Sequence, residues 1–300
     1  MRVFLTGATG YVATAIAAEL LGAGHTVLGL ARTDEGASAL TARGVEPHRG
    51  ELADHQSLIA GAAACDGVIH TAFIHDFSRF MENAEIERRA VEAMLAGLEG
   101  SGKPFIATSG VAMLADGRPA TEEDRPAPMG RGATEEVVRA AAGRGVRTAI
   151  VRLPPSTHGQ GDRGFMPHLI DIAREKGAAA YVGSGANRWA GGRRADAARL
   201  YRLALEKGAA GATYHAIGDE GVPTRDIAAA IGRRLGVPVV SKPPEEAAGH
   251  FGWIGMFFGL EMSASSTWTQ AALGWRPTPP GLLADIEGPN YDDSLSKYAA

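Results

Sequence analysis

Two glycines near the start of the chain have a spacing that suits phosphate binding. Gly7 and Gly10 follow Arg2–Leu5, which has the pattern of a buried strand, and precede a predicted helix over Tyr11–Leu20. Gly7 permits a tight turn, Gly10 lets the backbone approach a ligand, and small Ala13 lets helix and strand pack closely. A strand, a glycine turn and a helix N-terminus form an anion site for a dinucleotide diphosphate. We expect that site to comprise Gly7, Thr9, Gly10, Tyr11 and Val12.

The residues after the second predicted strand indicate which dinucleotide binds. Thr26–Ala31 is followed by Arg32 and Thr33, where a basic side chain accommodates the 2′-phosphate of NADP. Asp34 and Glu35 come next, so one alternative is that a carboxylate binds the ribose of NAD. Another is that Arg32 is a solvated surface charge. We favour NADP.

The composition excludes several classes of protein. The 300 residues carry a formal charge of -4, which provides no basic field for nucleic acid. No apolar run reaches the length of a membrane span, and Met1-Arg2 leads directly into the first strand, leaving no room for a signal peptide. The single cysteine, Cys65, excludes an internal disulfide and a cysteine zinc cluster, and we predict no metal site. We expect a cytoplasmic protein that binds neither nucleic acid nor membrane.

Strand and helix patterns alternate as far as about residue 152, which predicts an α/β fold with a doubly wound parallel sheet. Further strands are predicted at Val45–His48, Gly67–Thr71, Pro104–Ser109 and Thr148–Leu153, and helices at Glu35–Arg43, Gln56–Ala64, Glu85–Leu98 and Thr134–Ala142. We place the nucleotide-binding domain at residues 1–155. A smaller, mixed substrate-binding portion follows at 156–287, with elements returning to the first domain, and a flexible tail at 288–300.

The second portion combines helices, short strands and an aromatic stretch. We predict helices at Phe165–Lys176, Arg194–Lys207 and Arg225–Leu235, and strands at Tyr181–Val182, Thr213–Ile217 and Val237–Ser241. The aromatic stretch Gly249–Leu260 is expected to be core or a lid over the substrate cleft. A dimer face is the alternative, which would make the protein a homodimer. A membrane-surface helix is disfavoured because the flanks of the aromatic stretch lack the Lys/Arg clusters that such helices use.

The nucleotide-site residues resemble a known family. The spacing Gly7-x-x-Gly10-x-x-Ala13 resembles the loop of extended and atypical short-chain dehydrogenases/reductases, which include NAD(P)-dependent epimerase/dehydratase-like proteins. Gly50-Glu51-Leu52 resembles the family's Gly-Asp-Leu, whose acid meets the adenine amino group, and this implies adenine contacts from Glu51 and Leu52. Ile69–Phe73 resembles the segment beside the cofactor ribose, implying contacts from Thr71, Ala72 and Phe73. His70 within it is expected to be a packed strand residue.

The same resemblance shows that the family's proton-donating residues are missing. The family uses a Tyr-x-x-x-Lys pair, and here Arg131 falls at the tyrosine position and Glu135 at the lysine position. Gly110 falls at the family's serine position, one residue after Ser109. Glu87 lies near the position that often holds asparagine. We expect Arg131 to pair with Glu135 one helical turn on, with a cofactor contact as the alternative.

Loops expected near the nicotinamide contain two residues that could replace the missing proton donors. Pro154-Pro155-Ser156-Thr157-His158 resembles the segment that passes the nicotinamide carboxamide. Histidine is a common general acid in enzymes, and His158 is our first candidate for an alternative acid or substrate contact, with a turn-stabilising role as the alternative. Ser109 is the second candidate. Thr108, Arg131, Pro154, Pro155 and Ser156 complete the expected cofactor contacts.

Apolar side chains are predicted to surround the substrate. They are Phe73, Met113, Met129, Phe165, Met166, Tyr181 and Trp189. For Tyr181, a packed position in a strand is the competing interpretation. Such a lining favours a small hydrophobic, or even aromatic, substrate. Asn187-Arg188 could instead serve a nucleotide sugar.

The leading hypothesis is NADPH-dependent reduction of a C=O or C=N bond without the usual Tyr/Lys pair. An iminium carbon takes a hydride directly, and a ketone could be protonated by water. The alternative is a non-catalytic NADP(H)-binding regulator. A nucleotide-sugar epimerase or dehydratase is a third hypothesis, which the absent tyrosine weakens most.

Overall fold

The computed structural model describes residues 1–115 and 117–291. The strands, in chain order, are β1 (Arg2–Thr6), β2 (Thr26–Ala31), β3 (Glu46–Arg49), β4 (Gly67–His70), β5 (Pro104–Gly110), β6 (Arg147–Leu153), β7 (Ser156–His158), β8 (Ala179–Val182), β9 (Arg188–Arg193), β10 (Ala212–His215), β11 (Asp219–Pro223) and β12 (Val239–Lys242).

Helices connect most of these strands. The α-helices are α1 (Tyr11–Gly22), α2 (Asp34–Thr41), α3 (His55–Ala63), α4 (Phe80–Ala96), α5 (Arg131–Ala142), α6 (Phe165–Lys176), α7 (Arg194–Lys207), α8 (Thr224–Leu235), α9 (Ala247–Phe251), α10 (Gly255–Phe258), α11 (Thr267–Leu273) and α12 (Leu282–Glu287). Short 3-10 helices occur at Phe77–Arg79, Pro244–Glu246, Gly252–Ile254 and Pro289–Tyr291. No helix in these two described ranges is both long and apolar enough to cross a membrane.

Seven parallel strands form the central sheet, in the order β10-β6-β5-β4-β1-β2-β3. One face packs in an apolar cluster that includes Ile16, Leu20 and Tyr201 of α1 and α7. The other packs in a cluster that includes Leu58, Val91 and Val138 of α3, α4 and α5. The predicted doubly wound α/β fold is therefore confirmed.

The second portion of the chain builds its own core and two small sheets. Strands β11, β9 and β7 form one sheet, and β12 pairs with β8 in the other. Phe251, Ile254 and Phe258 are almost fully buried in the core cluster of this portion, so the core alternative for the aromatic stretch is confirmed there. Met256 in the same stretch is 66% exposed.

The chain returns to the first portion after it has entered the second. Strand β10 pairs with β6 at the edge of the central sheet, and α7 packs against α1. The boundary at residue 155 stays a prediction. In the predicted tail, Tyr291 is 1% exposed, and positions 292–300 lie outside the described residues.

Candidate functional site

The glycine turn after β1 has the shape that phosphate binding requires. Gly7 has φ +65°, and the amide of Gly10 donates to its carbonyl at 2.7 Å. A Cβ added to Gly7 would lie 2.9 Å from the amide nitrogen of Ala72, so only glycine fits between the turn and the loop after β4. Within the described ranges no side chain caps α1, whose first N–H groups therefore suit an anionic ligand.

A side-chain stack covers the beginning of α1. The guanidinium carbon of Arg194 lies 4.4 Å from the centre of the Tyr11 ring, and Nη2 of Arg194 donates to Thr14. The Tyr11 hydroxyl donates to the carbonyl of Gly159 at 3.2 Å. Sequence reasoning missed Arg194 because it begins a helix 180 residues after Thr14. The stack adds a cation close to the predicted diphosphate.

The end of β2 leaves one arginine available for a ligand. Thr33 caps α2 by accepting from the amide of Gly36 at 3.1 Å. Arg49 lies 3.4 Å from the Asp34 carboxylate, and its guanidinium donates to the backbone carbonyl of Arg32. The Arg32 side chain is exposed and makes no hydrogen bond or ion pair with any described residue. Asp34 has Arg49 as a partner but its side chain is 96% exposed, and the unpartnered Arg32 side chain can meet a phosphate.

The loops after β3 and β4 supply the other expected cofactor contacts. Glu51 is exposed and Leu52 is half-buried after β3. After β4, the Thr71 hydroxyl donates to the carbonyl of Thr6 at 2.8 Å, which places Ala72 beside the glycine turn. Phe73 is half-buried and continues this loop toward α5.

His70, at the end of β4, is a packed residue. Its Nδ1 lies 2.8 Å from the Thr6 hydroxyl. Burial, followed by the nearby charge of Arg131, lowers the pKa of His70 to about 3. It is therefore neutral near pH 7, and its 3.9 Å contact with Glu87 is not an ion pair. The structure agrees with the expectation of a structural histidine.

Arg131 binds Glu87 and not Glu135, so the predicted helical pair is wrong. Its Nη2 donates to the Glu87 carboxylate at 2.7 Å and to the Thr108 carbonyl at 2.6 Å, and its Nε donates to Glu87 at 3.2 Å. The guanidinium carbon lies 4.6 Å from the centre of the Phe73 ring. At the position that the resemblance gives to the tyrosine, the protein thus holds a rigid cation.

Glu135 is enclosed in a buried ion cluster. Arg152 donates to both of its oxygens, at 3.0 and 2.7 Å, and Arg139 donates to one at 2.7 Å. Burial opposes ionisation, but the hydrogen bonds from Arg152 and Ser109 and the arginine charges outweigh it and lower the pKa of Glu135. The side chain at the family's lysine position is 2% exposed.

Ser109 and Thr108 face inward at the end of β5. Ser109 is 7% exposed and bonds to buried Glu135. The Thr108 hydroxyl donates to the carbonyl of His70 and lies 2.7 Å from the Tyr201 hydroxyl. Ser109 is therefore engaged in the ion cluster, and the geometry does not support it as a proton donor.

His158 lies in the interior, in strand β7. Its side chain is 1% exposed, and Nδ1 is 2.9 Å from Oδ2 of Asp285 in α12. Pro154 and Ser156 are buried and Pro155 is half-buried in the preceding segment. The histidine joins β7 to α12, so its position does not support the predicted role of acid or substrate contact.

The predicted substrate residues occupy different surroundings. Met113 and Met129 are 71% and 62% exposed in loops at the carboxyl edge of the central sheet. Met166 and Trp189 are 0% exposed and belong to the core, where they offer a ligand no accessible wall. Phe165 packs against Trp189 with ring centres 5.5 Å apart, and Tyr181 is a partly buried aromatic of β8. The expectation that Met166 and Trp189 line the substrate site is therefore corrected. Met166 lies on the buried face of α6, and Trp189 lies on the buried face of β9.

His75 is a residue of this region that sequence reasoning missed. Its ring centre lies 5.4 Å from that of Phe73. Desolvation, followed by the charge of Arg131, lowers the pKa of His75. The available signal was its position two residues after Phe73, in the loop already identified beside the cofactor.

Comparison with known proteins assigns the family. Residues 3–217 match the NAD dependent epimerase/dehydratase family, so the chain belongs to that family. The resemblance to extended short-chain dehydrogenases/reductases is confirmed. Members of this family bind a nicotinamide dinucleotide and are generally NAD(P)-dependent oxidoreductases.

Its relatives include proteins with and without a known activity. An uncharacterised protein of Schizosaccharomyces pombe is 45% identical over 294 residues, covering 97% of this chain and 100% of its own. A 4-hydroxy-2-methyl-3-oxo-4-farnesyl-3,4-dihydroquinoline-1-oxide ketoreductase of Stigmatella aurantiaca is 31% identical over 189 residues, 59% of this chain and 56% of its own. The structure of a dTDP-glucose 4,6-dehydratase from Streptomyces venezuelae, with NAD and TYD bound, superposes with a TM-score of 0.75. It is 19% identical, with 95% of this chain and 96% of that one covered, and this likeness shows the fold.

Proposed function

We propose that the protein is an NADPH-dependent reductase that acts on a C=O or C=N bond of a small hydrophobic molecule. The observation that carries the proposal is the uncapped glycine turn of Gly7 and Gly10, with the unpaired Arg32 at the neighbouring strand end. Backbone donors and a guanidinium suit the two phosphate groups of NADP.

The residues around the turn fit this cofactor. A Cβ at Gly7 would occupy the narrow space beside Ala72, which shows how closely the backbone approaches there. When bound, the cofactor supplies the hydride. The residues proposed to hold it are Gly7, Thr9, Gly10, Tyr11, Val12, Arg32, Thr33, Glu51, Leu52, Thr71, Ala72, Phe73, Thr108, Pro154, Pro155 and Ser156. Arg131, also expected at the cofactor from the sequence, is instead proposed below as a substrate contact.

Reduction remains chemically reasonable without the Tyr/Lys pair. General acid assistance contributes about 10²- to 10⁴-fold, whereas positioning of two reactants contributes about 7–11 kcal/mol. The substrate would lie between Phe73 and the exposed Met113 and Met129. The ketoreductase relative supports a carbonyl substrate, although it matches only part of the chain.

The experiment is a two-part assay. NADPH and NADH binding is measured first by cofactor fluorescence. Absorbance of the reduced cofactor is then followed with a panel of ketones and cyclic imines. We expect tighter binding of NADPH and oxidation of it with at least one compound. Absence of binding to either dinucleotide would contradict the cofactor assignment.

A non-catalytic NADP(H)-binding regulator is the second candidate. The enclosed Glu135 favours it, because the side chain at the lysine position cannot reach a substrate. Tight NADPH binding with no turnover across the panel would support this candidate. A cytoplasmic location and a homodimer remain predictions, which fractionation and sedimentation would test.

A further inference from the structure

One nitrogen of the Arg131 guanidinium, Nη1, is free to donate hydrogen bonds at the proposed active site. Nε and Nη2 point inward to Glu87 and to the carbonyl of Thr108. Nη1 makes no hydrogen bond with any residue in 1–115 or 117–291, and the side chain is 23% exposed. The remaining donor is therefore available to a ligand.

The guanidinium is held on three sides. Glu87 of α4 is 0% exposed and binds two of its nitrogens, Thr108 ends β5, and Phe73 from the loop after β4 lies against its plane. The carboxyl ends of β4 and β5 meet at the sheet edge where ligands bind in open α/β folds. A donor held in one orientation there does not need to reorganise when charge develops on a ligand.

A guanidinium can only donate hydrogen bonds and stays protonated at all accessible pH values. Its ligand must therefore present a lone pair or a negative charge, and a carbonyl oxygen presents both in turn as it is reduced. A quaternary iminium nitrogen has no lone pair and carries a positive charge. Arg131 thus discriminates between the two substrate classes that the missing tyrosine leaves open.

We infer that Nη1 of Arg131 binds the oxygen of a substrate carbonyl and stabilises its developing negative charge, and that Glu87 is the positioning residue for that guanidinium. The inference rests on the proposed reductase function and names its substrate class as ketones. In the proposed reaction, the carbonyl carbon gains a hydride from the reduced dinucleotide, and the dinucleotide is thereby oxidised. The C=O π pair moves to oxygen, and water then protonates the oxygen to give the alcohol.

Four variants test the inference. Arg131→Lys retains the charge, and Arg131→Met removes it. Arg131→Met combined with Glu87→Gln avoids leaving a buried carboxylate unpaired, so that misfolding does not obscure the result. The matched control is Arg89→Met, which makes the same substitution at an exposed arginine of α4 that pairs with Glu85.

Three probes are used with each variant. Acetophenone is the neutral ketone, and the N-methyl-3,4-dihydroisoquinolinium ion is the permanent iminium. Benzoate binding to the protein with saturating NADP⁺ is measured by calorimetry, independently of turnover. We expect Arg131→Met and the double variant to lower kcat/KM for acetophenone by about 10²- to 10³-fold. Benzoate affinity should fall about tenfold or more, and iminium reduction should not fall.

The outcomes separate this inference from the proposed function. Arg131→Lys should retain part of the benzoate affinity, and Arg89→Met should match wild type on every probe. If Arg131→Met matched the control for acetophenone and benzoate, or if iminium reduction fell equally, the assignment of Arg131 would be overturned. If the wild-type chain reduced no compound of the whole ketone and imine panel, the reductase function would fail, while benzoate binding would still report on the anion site.

Discussion

Arg152 and Glu135 form a two-point ion pair in the interior, with side chains 0% and 2% exposed. The pair joins β6 to α5. Through Ser109 it also engages the end of β5. The carboxylate at the family's lysine position thus stabilises the scaffold, and Arg131, one helical turn earlier, binds Glu87 instead.

Breaking this pair should strongly destabilise the fold. Arg152→Met leaves the buried Glu135 with only Arg139 and Ser109 of the partners described above, and we expect a loss of about 3–5 kcal/mol in the free energy of unfolding. Urea denaturation followed by circular dichroism measures it. The control is Arg233→Met, which breaks an exposed pair with Glu287 and should cost at most about 1 kcal/mol. Equal losses in the two variants would contradict a special role for the buried pair.

Gly7→Ala should abolish cofactor binding. The new Cβ would meet Ala72 at 2.9 Å, and the φ of +65° adds backbone strain of about 1–3 kcal/mol. Gly24→Ala is the matched control, with φ +81° and no described atom within 4 Å of the added Cβ. Both variants should be less stable in thermal denaturation, but only Gly7→Ala should lose NADPH in a fluorescence titration. Unchanged NADPH affinity in Gly7→Ala would contradict the proposed role of the glycine turn in binding the cofactor.

Arg32→Ala should weaken NADPH binding and spare NADH. A hydrogen bond to a charged group contributes about 1.5–3 kcal/mol, so the Kd for NADPH should rise about 10- to 100-fold. Arg43→Ala, an exposed arginine after α2, serves as the control. A parallel loss of both dinucleotides would show that Arg32 does not read the 2′-phosphate.

His70 should make the protein sensitive to acid. Its pKa is about 3 in the folded state against 6.5 when unperturbed, so the unfolded chain takes up the proton first as the pH falls. The stability from this group is complete above about pH 6.5 and is lost toward about pH 3, by about 1.4 kcal/mol per pH unit. His70→Asn should reduce that slope in urea unfolding at several pH values. An unchanged slope would mean that folding does not lower the pKa of His70.

Local patterns made much of the fold predictable. The bounds of β2, α6 and α7 agree with the predicted Thr26–Ala31, Phe165–Lys176 and Arg194–Lys207, because apolar periodicity and flanking turns define them. Strands β7, β9 and β11 were not foreseen. All three are short and depend on partners distant in sequence, and β9 and β11 also contain glycine or proline.

The candidate site was predictable only where it is local. The glycine turn and Arg32 lie beside the strands that position them, so spacing was sufficient. The partner of Arg131 was not, because Glu87 is 44 residues away and only the packing of α4 against α5 brings them together. The partner of His158 was unpredictable for the same reason, since Asp285 is 127 residues distant.

The return of β10 to the central sheet has a consequence for dissecting the protein. A fragment ending at residue 155 would lack the outermost strand, and the backbone of β6 would then be open along one side. It would also lose α7, whose buried Leu200 and Tyr201 cover one sheet face. Unpaired edge strands and exposed apolar faces promote self-association. The nucleotide-binding half therefore cannot be separated by a single cut, and both halves must be expressed together.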